Sequence, residues 1–329
     1  MATFQALVVD QLEEEVETKI REISLDDLPA GEVLIKVHYS SVNFKDGLAT
    51  KKNGGIVESY PFIPGIDLSG VVEASEDSRY EPGDEVIVTS YDLGVTHDGG
   101  FSEYARVPAD WVVSLPAGLS LREAMVFGTA GFTAALSVDR LEEAGLTPDK
   151  GPVLVSGATG GVGSMAVAML AKRGFEVIAS TGKESEHDYL QQIGATEVID
   201  RKELTPEKIR PLDKQRWAGA VDPVGGETLA YMLSATKKDG AVAVSGLTGG
   251  TSVPTSVFPF ILRGVSLLGI DSAYCEMEKR QHVWSRLTSD LKIADQLETI
   301  AEDISLQELP QTLSSILTGE IKGRKIVKL

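Results

Sequence analysis

Up to about residue 124 the apolar positions come in short runs separated by turn residues. Val33-Leu34-Ile35-Lys36-Val37-His38-Tyr39 alternates in part. Leu68-Ser69-Gly70-Val71-Val72-Glu73 is an apolar run opened by Pro64-Gly65, and Pro82-Gly83-Asp84 precedes Glu85-Val86-Ile87-Val88. Such runs predict strands, hence a β-rich module, with Ser41-Val42-Asn43-Phe44-Lys45-Asp46 and the bend Asp98-Gly99-Gly100 in its connections. From about Leu121 the texture changes, and the small, apolar residues Ala124 to Leu136 predict a buried helix. Strands then alternate with helical patterns. Glu197–Asp200, Ala218–Asp222 and Ala241–Ser245 read as strands, and about 185–193, 226–235 and 276–290 as helices. This alternation predicts a parallel sheet with helices on both faces. From about Ala294 the tail carries a helical pattern around Leu306–Leu317 and a closing strand, Lys325–Lys328. If that strand returns to the β-rich module, the domains are 1–124 with 294–329, and 125–293.

The α/β region is organised around Val153-Leu154-Val155-Ser156-Gly157-Ala158-Thr159-Gly160-Gly161-Val162-Gly163-Ser164, followed by the good helix formers Met165 to Ala171. The reading is strand, tight glycine loop, helix, with a second strand at Glu176–Ser180. Glycines let a backbone approach a pyrophosphate closely, and the unpaired N–H groups and positive dipole end of the helix favour its negative charge. Against the G-x-G-x-x-G fingerprint the stretch has Ala158-x-Gly160-x-x-Gly163, so the bare pattern is weak and the strand–loop–helix–strand context carries it. The plainer alternative is a glycine-rich turn in an ordinary α/β domain. Gly151 to Ala171 carries no charge, but its glycines and hydroxyls and the lack of flanking basic clusters argue against a membrane span.

Composition narrows the partners. The 329 residues are 42% hydrophobic and 24% charged, with a formal net charge of −18; nucleic acid and anionic membranes would repel such a chain. Cys275 is the only cysteine, so no intrachain disulfide forms and no oxidising compartment is indicated. The first residues show no basic and apolar leader pattern. A cytoplasmic location is the expectation.

Several motifs together resemble the medium-chain dehydrogenase/reductase superfamily. They are the β-rich module, the loop Ala158-x-Gly160-Gly161-Val162-Gly163, Asp222-Pro223-Val224-Gly225 and the returning tail. Ser41–Asp46, Phe62-Ile63-Pro64-Gly65-Ile66-Asp67, Gly128-Thr129-Ala130-Gly131-Phe132-Thr133-Ala134 and Pro259-Phe260-Ile261-Leu262-Arg263 are similar to its zinc-free quinone-oxidoreductase branch. More narrowly, they resemble the bacterial YhdH/YhfP subgroup, which includes acryloyl-CoA reductases. The resemblance implies a GroES-like catalytic domain, a doubly wound Rossmann domain, a cleft between them, and a homodimer or tetramer.

Zinc members carry Gly-His-Glu where this chain has Gly65-Ile66-Asp67, and use an early cysteine ligand that is missing here. His38, His97, His187 and His282 show no paired spacing, whereas a catalytic zinc needs about three protein ligands. The expectation is no metal. Without that Lewis acid, the chemistry suits a substrate that is already electrophilic.

An NAD-specific Rossmann domain places an acid about 20 residues past its loop. Here the second strand ends Ser180-Thr181-Gly182-Lys183, hydroxyls and a cation suited to a 2′-phosphate, so NADPH is the expected cofactor. Arg201 resembles the subgroup's second basic contact; the alternative leaves Lys183 and Arg201 solvated, and Glu184 and Glu186 nearby count against the phosphate reading. By resemblance, Thr159, Gly160, Gly161 and Val162 lie at the pyrophosphate, Leu247, Ile261 and Ser272 near the nicotinamide end, and Phe44 packs on the cofactor.

The expected reaction is hydride transfer to the β-carbon of an α,β-unsaturated thioester or ketone, or to a quinone. Such a reaction needs donors aimed at the carbonyl oxygen that gains charge. Asn43 and Lys45 can donate, while Asp46 either positions them or relays a proton. Asp67, at the zinc-ligand position, is a candidate relay. The alternative for Asn43 and Asp46 is turn capping. Lys322 and Arg324 in the tail either meet an anionic substrate such as coenzyme A or are simply solvated. Three functions stay open: an acryloyl-CoA-like reductase, a quinone reductase, and a non-catalytic NADPH-binding protein.

Overall fold

The computed structural model describes residues 3–12 and 15–329. They pack as two compact units, Met1–Thr129 with Ala301–Leu329, and Ala130–Ile300. In chain order the first unit opens with a hairpin, β1 (Thr3–Leu12) and β2 (Glu15–Ser24), which the sequence pattern had not singled out. There follow β3 (Val33–Ser41), α1 (Phe44–Ala49), β4 (Asp67–Ser75), β5 (Glu85–Thr89), β6 (Tyr104–Val107) and β7 (Val112–Ser114). β3 buries Val33, Ile35 and Val37 at every second position, the strand periodicity that turns one face to a core.

α2 (Leu121–Glu143) is interrupted at Gly128, with φ 49° and ψ −157°. This is backbone space that glycine alone enters readily. The boundary between the units falls just after it, at Thr129/Ala130. The second unit holds β8 (Val153–Val155), α3 (Gly161–Lys172), β9 (Val177–Thr181), α4 (His187–Gln192), β10 (Glu197–Asp200), β11 (Trp217–Asp222), α5 (Gly226–Ala235), β12 (Thr236–Val244), α6 (Phe258–Arg263), β13 (Ser266–Gly269), α7 (Met277–Leu287) and α8 (Ala294–Ile300). Its six strands are all parallel in the order β10-β9-β8-β11-β12-β13. β11 is buried along its whole length, as a central parallel strand must be. The strand order reverses direction at β8 and β11, and in such sheets ligands bind beyond the carboxyl ends of the strands at that switch.

The chain then re-enters the first unit as β14 (Ala301–Ser305), α9 (Leu309–Leu317) and β15 (Arg324–Lys328). β15 pairs antiparallel with β3, Ile326 facing Ser41, and parallel with β14, completing the sheet β14-β15-β3-β4-β5-β7 with β6 on β3. β14 was not foreseen from the sequence. No helix among the described residues is long and apolar enough to cross a membrane.

Candidate active site

Four of the residues singled out in the sequence meet inside the first unit. Asp67 opens β4 and is fully buried. Its carboxylate accepts hydrogen bonds from Ser41 Oγ (2.6 Å), Asn43 Nδ2 (2.7 Å), Thr129 Oγ1 (2.5 Å) and Thr129 N (2.9 Å). Arg324 Nη2 lies 3.6 Å away. Pairing of β15 with β3 brings that guanidinium in. It donates to Ser41 Oγ (2.6 Å), Val42 O (3.0 Å), Asn43 Oδ1 (3.2 Å) and Val126 O (3.2 Å). Burial pushes the Arg324 pKa down, and the Asp67 and Asp46 carboxylates pull it back up. Gly128 is what lets these groups converge: a Cβ there would sit 2.5 Å from Ser41 Oγ, 2.6 Å from Asp67 Oδ2 and 2.7 Å from Arg324 Nη2.

Asp46, also fully buried, accepts from Asn43 N (2.7 Å) and Ile66 N (3.0 Å). Its pKa is raised to about 7, first by desolvation and then by the charge of Asp67, against the lowering effect of its hydrogen bonds. Asn43 therefore starts α1 with Asp46 bonded back to its own N–H, the capping arrangement left open above. Its side-chain amide is spent on Ser41 O (3.2 Å) and Asp67. The expectation that Asn43 donates to a substrate is corrected accordingly: both Nδ2 protons have internal acceptors, and the residue is 8% exposed. Arg324 is corrected too. At 2% exposure it is neither solvated nor open to an anionic substrate, because its guanidinium is taken up by the cluster. What this frame leaves outward on the first turn of α1 is Phe44, 37% exposed, and the half-buried Lys45, whose ammonium bonds to no described residue.

Sequence reasoning assigned no role to Ser41, Thr129 or Ser90. The first two lie within quoted motifs but look like ordinary hydroxyls. Ser90 Oγ lies 2.9 Å from Thr129 Oγ1, which itself donates to Asp67. Ser90 and Tyr91 both have positive φ, 64° and 51°, a conformation no sequence signal announces.

In the second unit the loop after β8 has the form a dinucleotide requires. A Cβ on Gly163 would lie 2.3 Å from Gly157 O, so α3 seats directly on the loop; at Gly160 the nearest atom is Gly157 O at 3.4 Å, leaving the space above it open. α3 begins at Gly161, with Gly160 as its cap, and its first N–H groups have no partner within the helix. Thr159 is buried, whereas Gly160, Gly161 and Val162 are partly accessible. At the ends of the adjacent strands β9 and β10, Asp200 pairs with Thr181. Arg201 lies so close over Gly182 that a Cβ there would meet its Nε at 2.6 Å. Thr181 Oγ1 accepts from Lys183 N at 3.1 Å. Asp222 anchors the neighbouring loop through Ser156 Oγ (2.5 Å), Val224 N (3.0 Å) and Gly225 N (2.9 Å). The glycine cradle and its flanking strand ends fit a dinucleotide. Ser272 accepts from Thr133 Oγ1 (2.7 Å), and the fully buried Arg280 holds the Ser272 and Ala273 carbonyls. Leu247 and Ile261 are 59% and 68% exposed, with no bond drawing them to Ser272.

Family models match both halves of this arrangement, the alcohol dehydrogenase GroES-like domain over residues 29–117 and the zinc-binding dehydrogenase over 161–289. The Bacillus subtilis protein YhfP, named provisionally as a quinone oxidoreductase, is 59% identical over 99% of both chains. Its crystal structure with NAD bound superposes with a TM-score of 0.98 over the full length of both. The chain belongs to the medium-chain dehydrogenase/reductase superfamily, in its YhdH/YhfP subgroup. Within that subgroup, the acrylyl-CoA reductase AcuI of Ruegeria pomeroyi is 50% identical over 98% of both chains. Escherichia coli K-12 YhdH with bound NADPH is 46% identical, with a TM-score of 0.96 over 98% of this chain and 99% of that one. Like these relatives, this medium-chain reductase is an oxidoreductase that uses a nicotinamide dinucleotide.

The zinc of the family model's description does not fit the donors present. Among the described residues no group of three or more His, Cys, Asp or Glu can hold a metal ion. Asp67, which stands where zinc members of the superfamily carry a ligand, already accepts from three residues and faces the Arg324 guanidinium.

Proposed function

We propose that the chain is a zinc-independent, NADPH-dependent reductase that transfers hydride to the β-carbon of an α,β-unsaturated thioester, with acryloyl-CoA-like thioesters as the preferred class. One observation carries this reading: the buried Asp67–Arg324–Asn43 cluster fixes the first turn of α1 while leaving the Lys45 ammonium without a described partner. Bound NADPH supplies the hydride. Lys45 supplies a charge-assisted donor to the thioester oxygen as it gains charge, and Phe44 supplies an exposed aromatic face. Asp46 and Asp67 hold that turn in place. NADPH over NADH rests on the hydroxyl and cations of Thr181, Lys183 and Arg201 at the ends of β9 and β10 and on the NADPH bound to YhdH.

The test is NADPH oxidation with acryloyl-CoA and, separately, with a small benzoquinone, NADH serving as control. Turnover of the thioester well above that of the quinone is the expected result. Turnover of the quinone alone refutes the thioester reading in favour of the second one, quinone reduction, which the name given to YhfP favours. Protection from heat by NADPH with no turnover of either would make the chain a binder. We further propose a cytoplasmic homodimer. Its support is the edge strand β13 and neighbouring α6, where Leu267, Ile261 and Leu262 are 40%, 68% and 61% exposed, a hydrophobic edge that soluble proteins cover. A monomer by sedimentation would refute it.

A further inference from the structure

Charge is unevenly spread along this chain. Acidic residues outnumber basic ones 49 to 31. Yet between Glu32 and Glu58 the sequence carries Lys36, Lys45, Lys51 and Lys52 against one acid, Asp46, and that acid is fully buried. Solvent therefore meets only positive charge on this segment, which is the one that bears Asn43 and Lys45.

The structure fixes where the lysines stand. Past the end of α1 the backbone keeps turning, Thr50 N donating to Gly47 O (3.2 Å), Lys51 N to Leu48 O (3.0 Å) and Gly54 N to Lys51 O (2.9 Å). Gly54 closes on α1 so tightly that a Cβ there would overlap Leu48 O. The lysine turn is thus clamped to the helix. Lys45 lies in the first turn of α1, whereas Lys51 and Lys52 follow its C-terminal end. The side chains of Lys45, Lys51 and Lys52 bond to no described residue, and Lys51 and Lys52 are exposed. The helix packed on α1 is α9, which contributes no charged residue; Glu320 and Lys322 follow its end.

We propose that Lys45, Lys51 and Lys52 form a subsite for the phosphates of coenzyme A, with Lys45 at the thioester end and Lys51 and Lys52 at the nucleotide end. The inference rests on the thioester reading above and deepens it. A protein of net charge −18 repels a polyanion at long range, so a coenzyme A ester needs a local cationic landing point that a neutral quinone does not. Lysine ammoniums serve phosphate as point charges. Lysines kept only for solubility would not distinguish one thioester from another.

The test compares kcat/KM for acryloyl-CoA with that for acryloyl-pantetheine, which keeps the thioester and lacks the phosphorylated nucleotide. It uses the full-length wild type, K51Q/K52Q and K51E/K52E, and adds calorimetric binding of free coenzyme A. Expected is a CoA-to-pantetheine ratio that falls about tenfold in K51Q/K52Q, the scale of two exposed ion contacts, and further in K51E/K52E, with coenzyme A binding weakened in parallel. A ratio that stays within twofold of wild type in both variants overturns the subsite, as does a wild type that treats the two esters alike; either result leaves the thioester reading standing. Turnover of a quinone with neither ester reduced removes the thioester reading and the subsite together.

Discussion

Replacing Arg324 by methionine tests whether the buried cluster is held together by its one cation. Methionine keeps much of the stem volume and removes the guanidinium that donates to Ser41 Oγ, Val42 O, Asn43 Oδ1 and Val126 O and lies 3.6 Å from Asp67. Removing one partner of a buried ion pair costs about 3–5 kcal/mol, because the remaining charge is left uncompensated. The loss has a definite pH dependence. At pH 8 Asp46, above its pKa of about 7, is ionised beside the Asp67 side chain without a counter-charge. At pH 5.5 Asp46, with its pKa of about 7, already carries a proton. Taking away the cation raises the Asp46 pKa further in the folded state, so the variant takes up protons that wild type does not, and its deficit grows as pH rises. We expect urea unfolding to show a loss of about 4 kcal/mol at pH 8, smaller by at least about 1 kcal/mol at pH 5.5, given about 1.4 kcal/mol per pKa unit. The double variant D67N/R324M should be more stable than R324M at pH 8, the non-additivity expected of direct partners. A deficit under about 1 kcal/mol, or one equal at both pH values, would refute the reasoning.

Asp46 itself makes folding pH-dependent. The folded state holds a proton that the unfolded chain releases near pH 3.8, so stability should fall as pH rises from about 4 to about 7, by up to about 1.4 kcal/mol per unit. D46N should flatten that slope in urea titrations, and a parallel slope would contradict the assignment. Gly163→Ala forces a methyl against Gly157 O at 2.3 Å and should abolish NADPH binding by fluorescence titration while costing about 1–3 kcal/mol in urea unfolding. Unaltered NADPH affinity would mean the loop is not the pyrophosphate site. Lys183→Glu should raise the KM for NADPH far more than that for NADH; equal effects would show that the ends of β9 and β10 do not read the 2′-phosphate.

The parallel sheet and its glycine loop were legible because their determinants are local. Each strand is a short apolar run, and Gly160 and Gly163 follow it at fixed spacing, so periodicity and turn chemistry report them directly. β1 carries the apolar run Ala6-Leu7-Val8-Val9, but its partner β2, with Glu17-Thr18-Lys19-Ile20-Arg21-Glu22, is largely polar, and so the hairpin offered no matching second run to read. β14 was missed because Ala301-Glu302-Asp303-Ile304-Ser305 buries only Ile304 and offers no alternation to read.

The cluster in the first unit was legible by half, and the missing half has a physical reason. Asn43, Asp46 and Asp67 announce themselves as polar residues in apolar surroundings, but what they do depends on an arginine 281 positions from Asn43 in sequence. Spacing within a tail says nothing about a cation that a strand pairing carries into the interior, which is why solvation was the plainer expectation for Arg324. With Arg324 in place, Asn43 is no longer a donor to substrate but the link that ties α1 to Asp67, and Lys45 is the cation of that turn left without a described partner. The described residues of the first unit provide one buried guanidinium beside two carboxylates and leave the half-buried Lys45 and the exposed Lys51 and Lys52 without described partners. A buried guanidinium serves to orient its neighbours, whereas accessible ammoniums serve to attract and receive charge, so on the proposed reading the two tasks are divided between β15 and α1 with its following turn.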